Sequence, residues 1–310
     1  MSGVVSGFTV IFIVVGVGYL LGRGRVLGEH AVQVLARLVF FVCTPALLIA
    51  SLSTSDLSVV FSPTLAVAAA AALVTGAVYA LSAKFWLRRQ VPEIVIGALS
   101  ASYVNSVNLG LPIALFVLHD ASFIAPLLLF QIVFYSPIAL ILLDFTALDP
   151  AQRTSTLRTV TTPLVNPIVI GGIVGLTISL LGIGLPEAIL SPLNMLGQAS
   201  VPLALLTFGL SLTGVQILQK GQSPRRDVAL ASILKMTLMP ATAYVLARWG
   251  FGMSGSALFA QVVIAALPTA QNVLVYATRY RRGETLARDS ALVTTLLSIP
   301  VIAGLAVVLT

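Results

Sequence analysis

The stretch Ser100-Ala-Ser-Tyr-Val-Asn105-Ser-Val-Asn108-Leu-Gly110-Leu-Pro112-Ile-Ala-Leu115 decides how this chain folds. It lies inside an apolar run of about the length that crosses a lipid bilayer, yet it holds two amide side chains, a glycine and a proline. Pro112 lacks an amide hydrogen, and its ring clashes with the carbonyl group four residues earlier. Gly110 weakens the helix just before it. The stretch therefore predicts a membrane helix that breaks or kinks near its middle.

A second interrupted apolar span lies far downstream, in Ala265-Ala-Leu-Pro268-Thr269-Ala-Gln271-Asn272-Val-Leu-Val-Tyr276. Backbone groups freed inside a membrane are tolerated only where protein or a water-filled cavity covers them. Two broken, polar spans in corresponding halves of a chain are typical of the substrate site of a transporter.

The composition indicates an integral membrane protein. Of the 310 residues, 58% are hydrophobic and 9% are charged, and the mean hydropathy is +1.06, whereas soluble domains have about 25% charged residues. The weak alternation of a membrane β-barrel is absent, so the runs are predicted to be helices. We distinguish ten apolar runs, at 4–21, 31–52, 63–83, 94–118, 122–145, 163–182, 189–213, 228–247, 254–278 and 289–309.

The net charge of +7 follows the membrane topology and indicates no nucleic-acid partner. If the N-terminus faces outward, all 17 Lys and Arg residues except Arg37, Lys235 and Arg248 fall in inward-facing loops. This is the positive-inside rule, and it places both termini outside. No basic segment precedes the first apolar run, so that run is interpreted as a span and not as a cleaved signal.

The sequence offers nothing that favours an enzyme, a cofactor or a metal centre. Cys43 is the lone cysteine, and no catalytic triad, metal-ligand cluster or phosphate-binding loop is evident. All ten Asp and Glu residues lie at or near helix ends or in loops, whereas cation exchangers usually bury a carboxylate within a span. An anionic substrate is therefore favoured. Arg37 and Lys235 lie inside helices; we expect both to snorkel to the inner surface, with Lys235 as a buried counter-ion the alternative.

The second half of the chain repeats features of the first. Pro45 and Pro202 recur at nearly the same separation as Pro112 and Pro268. Five spans in each half is an odd number, so the two halves must insert in opposite directions, as inverted repeats. We therefore predict an all-α membrane protein with a first repeat at 1–145, a cytoplasmic linker at 146–161 and a second repeat at 162–310.

The two interrupted spans, helices 4 and 9 of this arrangement, run in opposite directions and are expected to cross at mid-membrane. Half-helices that begin near Pro112 and Pro268 would bring unpaired N–H groups and positive dipole ends together, which suits an anion. Repair of the broken helices is the alternative role for each polar side chain. The residues predicted to bind substrate are Asn105, Ser106, Asn108, Thr269, Gln271 and Asn272, with Gly110, Pro112 and Pro268 forming the break.

Three motifs resemble the auxin efflux carrier family, which includes the plant PIN proteins and bacterial malate and malonate permeases. They are Asn105-x-x-Asn108-Leu-Gly-Leu-Pro112, Leu196-Gly-Gln-Ala-Ser-Val-Pro202-Leu-Ala-Leu-Leu-Thr-Phe-Gly209 and Ala266-Leu-Pro268-x-x-x-Asn272-Val-x-Val-Tyr-Ala277-x-x-Tyr280. The resemblance covers essentially the whole chain, including Asn166-Pro167.

The resemblance implies a scaffold and dimer interface built from helices 1, 2, 6 and 7, and a mobile transport domain built from helices 3–5 and 8–10. It implies elevator-type transport and assigns the family's key asparagine to Asn105. The long loop of the plant carriers is missing, so auxin itself is not implied. A bacterial organic-acid carrier of the cytoplasmic membrane is the closer likeness.

Together these expectations describe a homodimeric transporter of a small organic anion, a mono- or dicarboxylate such as malate or malonate. Proton or sodium coupling stays open. The alternatives are a cation-coupled symporter of the bile-acid-transporter type, a membrane sensor that binds a ligand without moving it, and a channel.

Overall fold

The computed structural model describes residues 2–28, 30–54, 63–118, 123–146, 167–213, 218 and 223–309. Within these ranges the protein is helical, with one isolated antiparallel bridge in place of any strand. From residue 147 onward the predicted linker at 146–161 lies outside this part of the chain, as does Asn166.

The helices follow the apolar runs. One π-helical turn lies within α2, one within α6, two within α9 and one directly before α5. The run at 94–118 holds two helices, α4 and α5, and the run at 254–278 holds α10 and α11. The helices are α1 (Ser2–Arg23), α2 (Ala31–Ser53), α3 (Pro63–Phe85), α4 (Val91–Ser102), α5 (Leu111–Phe116), α6 (125–146), α7 (Pro167–Leu180), α8 (Glu187–Ser211), α9 (Arg225–Gly250), α10 (Gly255–Ala265), α11 (Asn272–Tyr280) and α12 (Glu284–Leu309).

Five of the described helices, α2, α3, α8, α9 and α12, are long and apolar enough to cross a membrane. Shorter apolar helices include α4 and α10, as expected if these are halves of interrupted spans. The prediction of an all-helical membrane protein is therefore confirmed.

The chain divides into two compact units. The first consists of Met1–Ser62, Val107–Leu129 and Pro163–Val215, and the second of Pro63–Ser106, Phe130–Thr162 and Gln216–Thr310. The first unit thus contains α1, α2, α5, α7 and α8, and the second contains α3, α4, most of α6 and α9–α12.

In the first unit, glycines allow close contact between helix backbones. A Cβ atom at Gly171 of α7 would lie 2.8 Å from main-chain atoms of Pro45 in α2, and one at Gly175 would lie 2.8 Å from the carbonyl oxygen of Leu48. Small residues allow this approach in membranes, where helices associate largely through van der Waals packing.

A buried hydrogen bond joins α2 and α8 within the same unit. The hydroxyl groups of Thr44 and Ser200 lie 2.9 Å apart. Thr44 follows a π turn and directly precedes Pro45, and Ser200 follows an interruption at Ala199 and lies two residues before Pro202. The two helices are therefore interrupted at corresponding places and contact each other there.

In the second unit, the core surrounds the end of α4. Buried residues of α4, α6, α11 and α12 pack together there, including Ile96, Leu99, Leu143, Val273 and Ala287. Tyr103, the residue that follows α4, is part of the same cluster.

The loop between α3 and α4 is tied to the start of α9 by an ion pair. Arg89 donates to both carboxylate oxygens of Asp227, at 2.9 and 2.7 Å. Asp227 is only 2% exposed, although it lies in the first turn of its helix. Asp289, near the start of α12, is also fully buried. These two acidic residues are thus near helix ends, as expected, but both are buried. The hydrogen bond that Arg89 donates to Asp227 raises the pKa of Arg89.

Arg89→Ala is expected to lower the free energy of unfolding by about 2 kcal/mol, because it leaves the Asp227 carboxylate buried without its partner. The effect is smaller than for a fully buried pair because the Arg89 side chain is 40% exposed and screened by solvent. Thermal unfolding in detergent would measure it. The exposed neighbour Arg226→Ala should have no effect, and the double variant Arg89→Ala/Asp227→Ala should recover part of the loss. Equal stability of Arg89→Ala and wild type would contradict the role.

Candidate functional site

The two breaks pair with each other in a short antiparallel contact, which we call the crossover (residues 103–106 and 266–271). Val104 and Thr269 form the bridge. On either side of it, the backbone N–H of Asn105 donates to the Pro268 carbonyl oxygen at 2.8 Å, and the backbone N–H of Ala270 donates to the Tyr103 carbonyl oxygen at 3.0 Å. Each break therefore satisfies backbone groups that the other has freed.

This pairing makes Val104 and Thr269 a non-hydrogen-bonded pair, whose own backbone groups point away from the partner strand. Side chains complete these outer positions. The side-chain amide of Gln131 makes both hydrogen bonds. Its oxygen accepts from the Val104 N–H at 3.1 Å, and its nitrogen donates to the Val104 carbonyl oxygen at 2.9 Å. The Gln131 side chain thus makes the hydrogen bonds that the backbone of a third strand would make to Val104. Gln131 is also the first residue of the π turn in α6.

On the opposite side, Thr294 of α12 supports Thr269. The Thr269 amide donates to the Thr294 hydroxyl oxygen at 3.0 Å, and this hydroxyl donates in turn to the Ser290 carbonyl oxygen at 2.7 Å. The Thr269 hydroxyl donates to the Ser100 carbonyl oxygen, near the end of α4, at 2.5 Å. The crossover is therefore attached to both α4 and α12.

Tyrosine and serine side chains from α6 and α11 pack against the start of the crossover, around Ser102 and Tyr103. Ser136 donates to the Tyr103 hydroxyl oxygen at 2.8 Å and lies 3.1 Å from the Tyr276 hydroxyl. The Tyr135 ring stacks on the Tyr103 ring, with centroids 5.9 Å apart, and its hydroxyl lies 2.5 Å from that of Ser102. These contacts satisfy polar groups in an otherwise apolar core.

The structure brings three of the six predicted binding residues together at the crossover. Asn105 and Ser106 are each 4% exposed, and Thr269 is 1% exposed. The Ser106 hydroxyl donates to the Val104 carbonyl oxygen at 3.3 Å. The hydroxyl groups of Thr269 and Ser106 thus donate to backbone carbonyl oxygens next to the break. This is the repair of a broken helix that the sequence analysis gives as the alternative to substrate binding.

Gln271 and Asn272 differ from these three because both are exposed, at the point where α11 begins. The helix has no side-chain cap at its first turn. Its N-terminus therefore presents main-chain donors and two amide side chains together. Asn108 lies in the π turn Ser106–Gly110, and its side chain falls outside what the structure describes.

The break in the first span lies before the predicted position. The extended residues are Tyr103–Asn105, after which the chain becomes helical again at Ser106. Pro112 is the second residue of α5, which continues directly from the π turn Ser106–Gly110, so the proline lies inside a helical segment and not among the extended residues. Gly110 has an ordinary right-handed φ of −64°. Pro268, in contrast, lies within the second break, so the two prolines are not equivalent in position.

Lys235 also lies in this region, and its position differs from the expectation that it snorkels to the inner surface. Its side chain is 0% exposed, so it does not snorkel to the surface. Its ammonium group donates to the carbonyl oxygen of Ala265, the last residue of α10, at 2.9 Å. No sequence signal distinguished this lysine from Arg37, because both lie about two turns from a helix end.

Among the described residues, no group of three or more His, Cys, Asp and Glu side chains could hold a metal ion. The polar groups of the crossover are amides, hydroxyls and main-chain groups, with one buried ammonium nearby. This donor set can hydrogen-bond a small anion and offers no nucleophile paired with a base.

Comparison with known proteins gives two similarities. A family model described as membrane transport protein matches residues 4–306. An uncharacterized transporter from Methanocaldococcus jannaschii is 33% identical over 140 residues, which is 44% of this chain and 44% of that protein. The matched segment therefore spans less than half the length of this relative.

Proposed function

This chain belongs to the auxin efflux carrier family of membrane transport proteins, and from that premise we propose that it moves a small organic anion across the bacterial cytoplasmic membrane. The transport is secondary active or facilitative, and the substrate is a mono- or dicarboxylate such as malate or malonate. The observation that carries the proposal is the crossover, in which two broken helices meet at amide and hydroxyl side chains.

In this proposal the six residues predicted to bind substrate have different roles. Gln271 and Asn272 are exposed at the start of α11 and contact the substrate carboxylate, together with main-chain N–H groups of the first helical turn. Asn105, Ser106 and Thr269 border the substrate and keep the crossover in shape, as their backbone bonds suggest. Asn108, in the π turn Ser106–Gly110, stays a predicted substrate contact.

We propose further that the protein has ten spans in two inverted five-helix repeats, with both termini outside, and works as an elevator. The interruptions of α2 and α8 before Pro45 and Pro202, joined by the Thr44–Ser200 hydrogen bond, support the repeat. The proposed scaffold is α1, α2, α7 and α8, and the proposed moving domain is α3–α6 and α9–α12. The division into two compact units supports this grouping except for α5 and the start of α6, which belong to the first unit. A homodimer through the scaffold completes the proposal.

The test is electrical recording from proteoliposomes while mono- and dicarboxylates are added, with and without sodium and pH gradients. A saturable charge movement for one acid identifies a carrier and its substrate. Non-saturating flux would favour a channel instead. Silence across the panel, from folded protein that binds one of the acids, would favour a sensor.

Asn105→Ala is expected to reduce the flux of that acid at least about tenfold, equivalent to about 1.4 kcal/mol of lost interaction. The side chain is buried at the crossover, and alanine has no hydrogen-bonding group to replace its amide. Asn194, an exposed asparagine of α8, provides the matched control Asn194→Ala, which should transport normally. Unchanged affinity and flux in folded Asn105→Ala would show that the assignment is wrong.

A further inference from the structure

The Lys235 ammonium group lies at the carbonyl end of α10, directly before the second break. It donates to the Ala265 carbonyl oxygen at 2.9 Å and contacts the Met239 sulfur at 3.0 Å. The side chain is fully buried and lies in a π turn of α9 that packs against α3, α4 and α12. A lysine buried this completely is rare in proteins unless it has a partner.

The lysine completes the cap of α10. The last four carbonyl oxygens of a helix have no partner within the helix. Here the amide of Ala266 donates to the carbonyl oxygens of Val262 and Val263, and the amide of Leu267 donates to that of Ile264. Ala265, the last of the four, receives its hydrogen bond from Lys235. The carbonyl end of α10 is thus closed by the protein's own cation.

Lys235 takes part in none of the three ion pairs found among the described residues. They join Arg89 to Asp227, Arg282 to Glu93 and Arg288 to Asp289. The charge of Lys235 is therefore balanced by a carbonyl oxygen and by the negative end of the α10 dipole, which favours a cation there.

In transporters with broken helices, the C-terminal ends of half-helices commonly coordinate a coupling sodium ion or proton. We infer that Lys235 is the resident cation of the crossover: its ammonium group occupies the carbonyl end of α10, where a coupling cation would bind, so that transport by this protein does not use sodium. The inference deepens the proposed transport function, but its test does not require the substrate to be known. The same fixed charge favours an anion at the neighbouring break.

The experiment measures thermal unfolding of the purified full-length protein in detergent, in sodium chloride, methylammonium chloride or choline chloride at equal ionic strength. The wild-type midpoint should be the same in all three salts. Lys235→Ala removes the cation and leaves the Ala265 carbonyl oxygen buried and unpaired. Its midpoint should fall by roughly 4 °C or more. Methylammonium, which fits the vacated space, should restore the midpoint in a saturable manner, and choline should not.

Two further variants make the outcome decisive. Lys235→Gln keeps a hydrogen-bond donor but removes the charge and fills the space, so it should be destabilised and should not respond to methylammonium. Thr237→Ala changes an exposed residue of the same π turn and should behave as wild type.

Three results would overturn the inference. The first is saturable stabilisation of the wild type by sodium over choline, which would show that the carbonyl end is open to that ion. The second is wild-type stability of Lys235→Gln, which would show that only a donor is needed. The third is a folded Lys235→Ala that methylammonium does not stabilise. If Lys235→Ala does not fold, the wild type and Lys235→Gln still decide. A failed substrate panel would leave all these results unaffected.

Discussion

Gln131→Leu should abolish anion flux and lower the unfolding midpoint by roughly 5 °C or more. The substitution keeps the size of the side chain but removes the amide that satisfies both the N–H and the carbonyl group of Val104. Val104 is 1% exposed, so water cannot replace the lost bonds. Each buried backbone group left unpaired costs about 1–3 kcal/mol, and each kilocalorie shifts the midpoint by about 2–4 °C in a large domain.

The control for this prediction is Gln90→Leu, which changes an exposed glutamine that makes no side-chain cap bond at the start of α4. It should fold and transport as wild type. Thermal unfolding and proteoliposome flux should be measured on both variants. Normal flux with Gln131→Leu would mean that the crossover holds its shape without the third-strand amide, and that our account of it is incorrect.

Gly209→Leu is expected to prevent the first unit from assembling. Gly209 of α8 packs against the backbone of α1, where an added Cβ would lie 2.8 Å from the Tyr19 nitrogen and 2.9 Å from the Gly18 Cα atom. Main-chain atoms cannot rotate away, so the two helices would have to separate. Overpacking of a well-packed core typically costs about 1–3 kcal/mol, and we expect a clash with main-chain atoms to cost more. We expect little folded protein after size-exclusion chromatography.

Gly16→Leu is the matched control because Gly16 lies in α1 and has no atom within 4 Å of the position of an added Cβ. This variant should elute as wild type and be at least as stable, since glycine within a helix is unfavourable by roughly 0.5–1 kcal/mol relative to alanine. If Gly209→Leu also elutes as folded protein with an unchanged midpoint, the close contact of α1 and α8 does not determine stability.

The positions of the breaks show where sequence reasoning reached its limit. Both interrupted spans were recognised from amides and prolines in apolar runs, and Pro268 does lie within a break. Pro112, however, is the second residue of α5. A proline in an apolar run indicates that the span is interrupted, but it does not fix which residues become extended. Their position depends on which backbone groups find partners elsewhere, and the sequence does not show this.

Gln131 and Lys235 illustrate the same limit for single side chains. The distance along the chain from Gln131 to Val104, or from Lys235 to Ala265, carries no information about their contact. A signal was present in both cases, since each is a polar residue in an apolar helix. Such a residue must find a partner or reach the surface, but hydropathy does not indicate which.

The sequence by itself determined the helical membrane class, the family and the two interrupted spans, because these depend on composition and on local patterns of apolar, amide, glycine and proline residues. Only the tertiary structure decided that the breaks pair as short strands, that Gln131 and Thr294 complete their outer positions, and that Lys235 closes the end of α10. Hydrogen bonds between different helices and breaks are fixed by the packing of whole helices, and in an apolar interior every freed backbone group must take the partner that this packing provides.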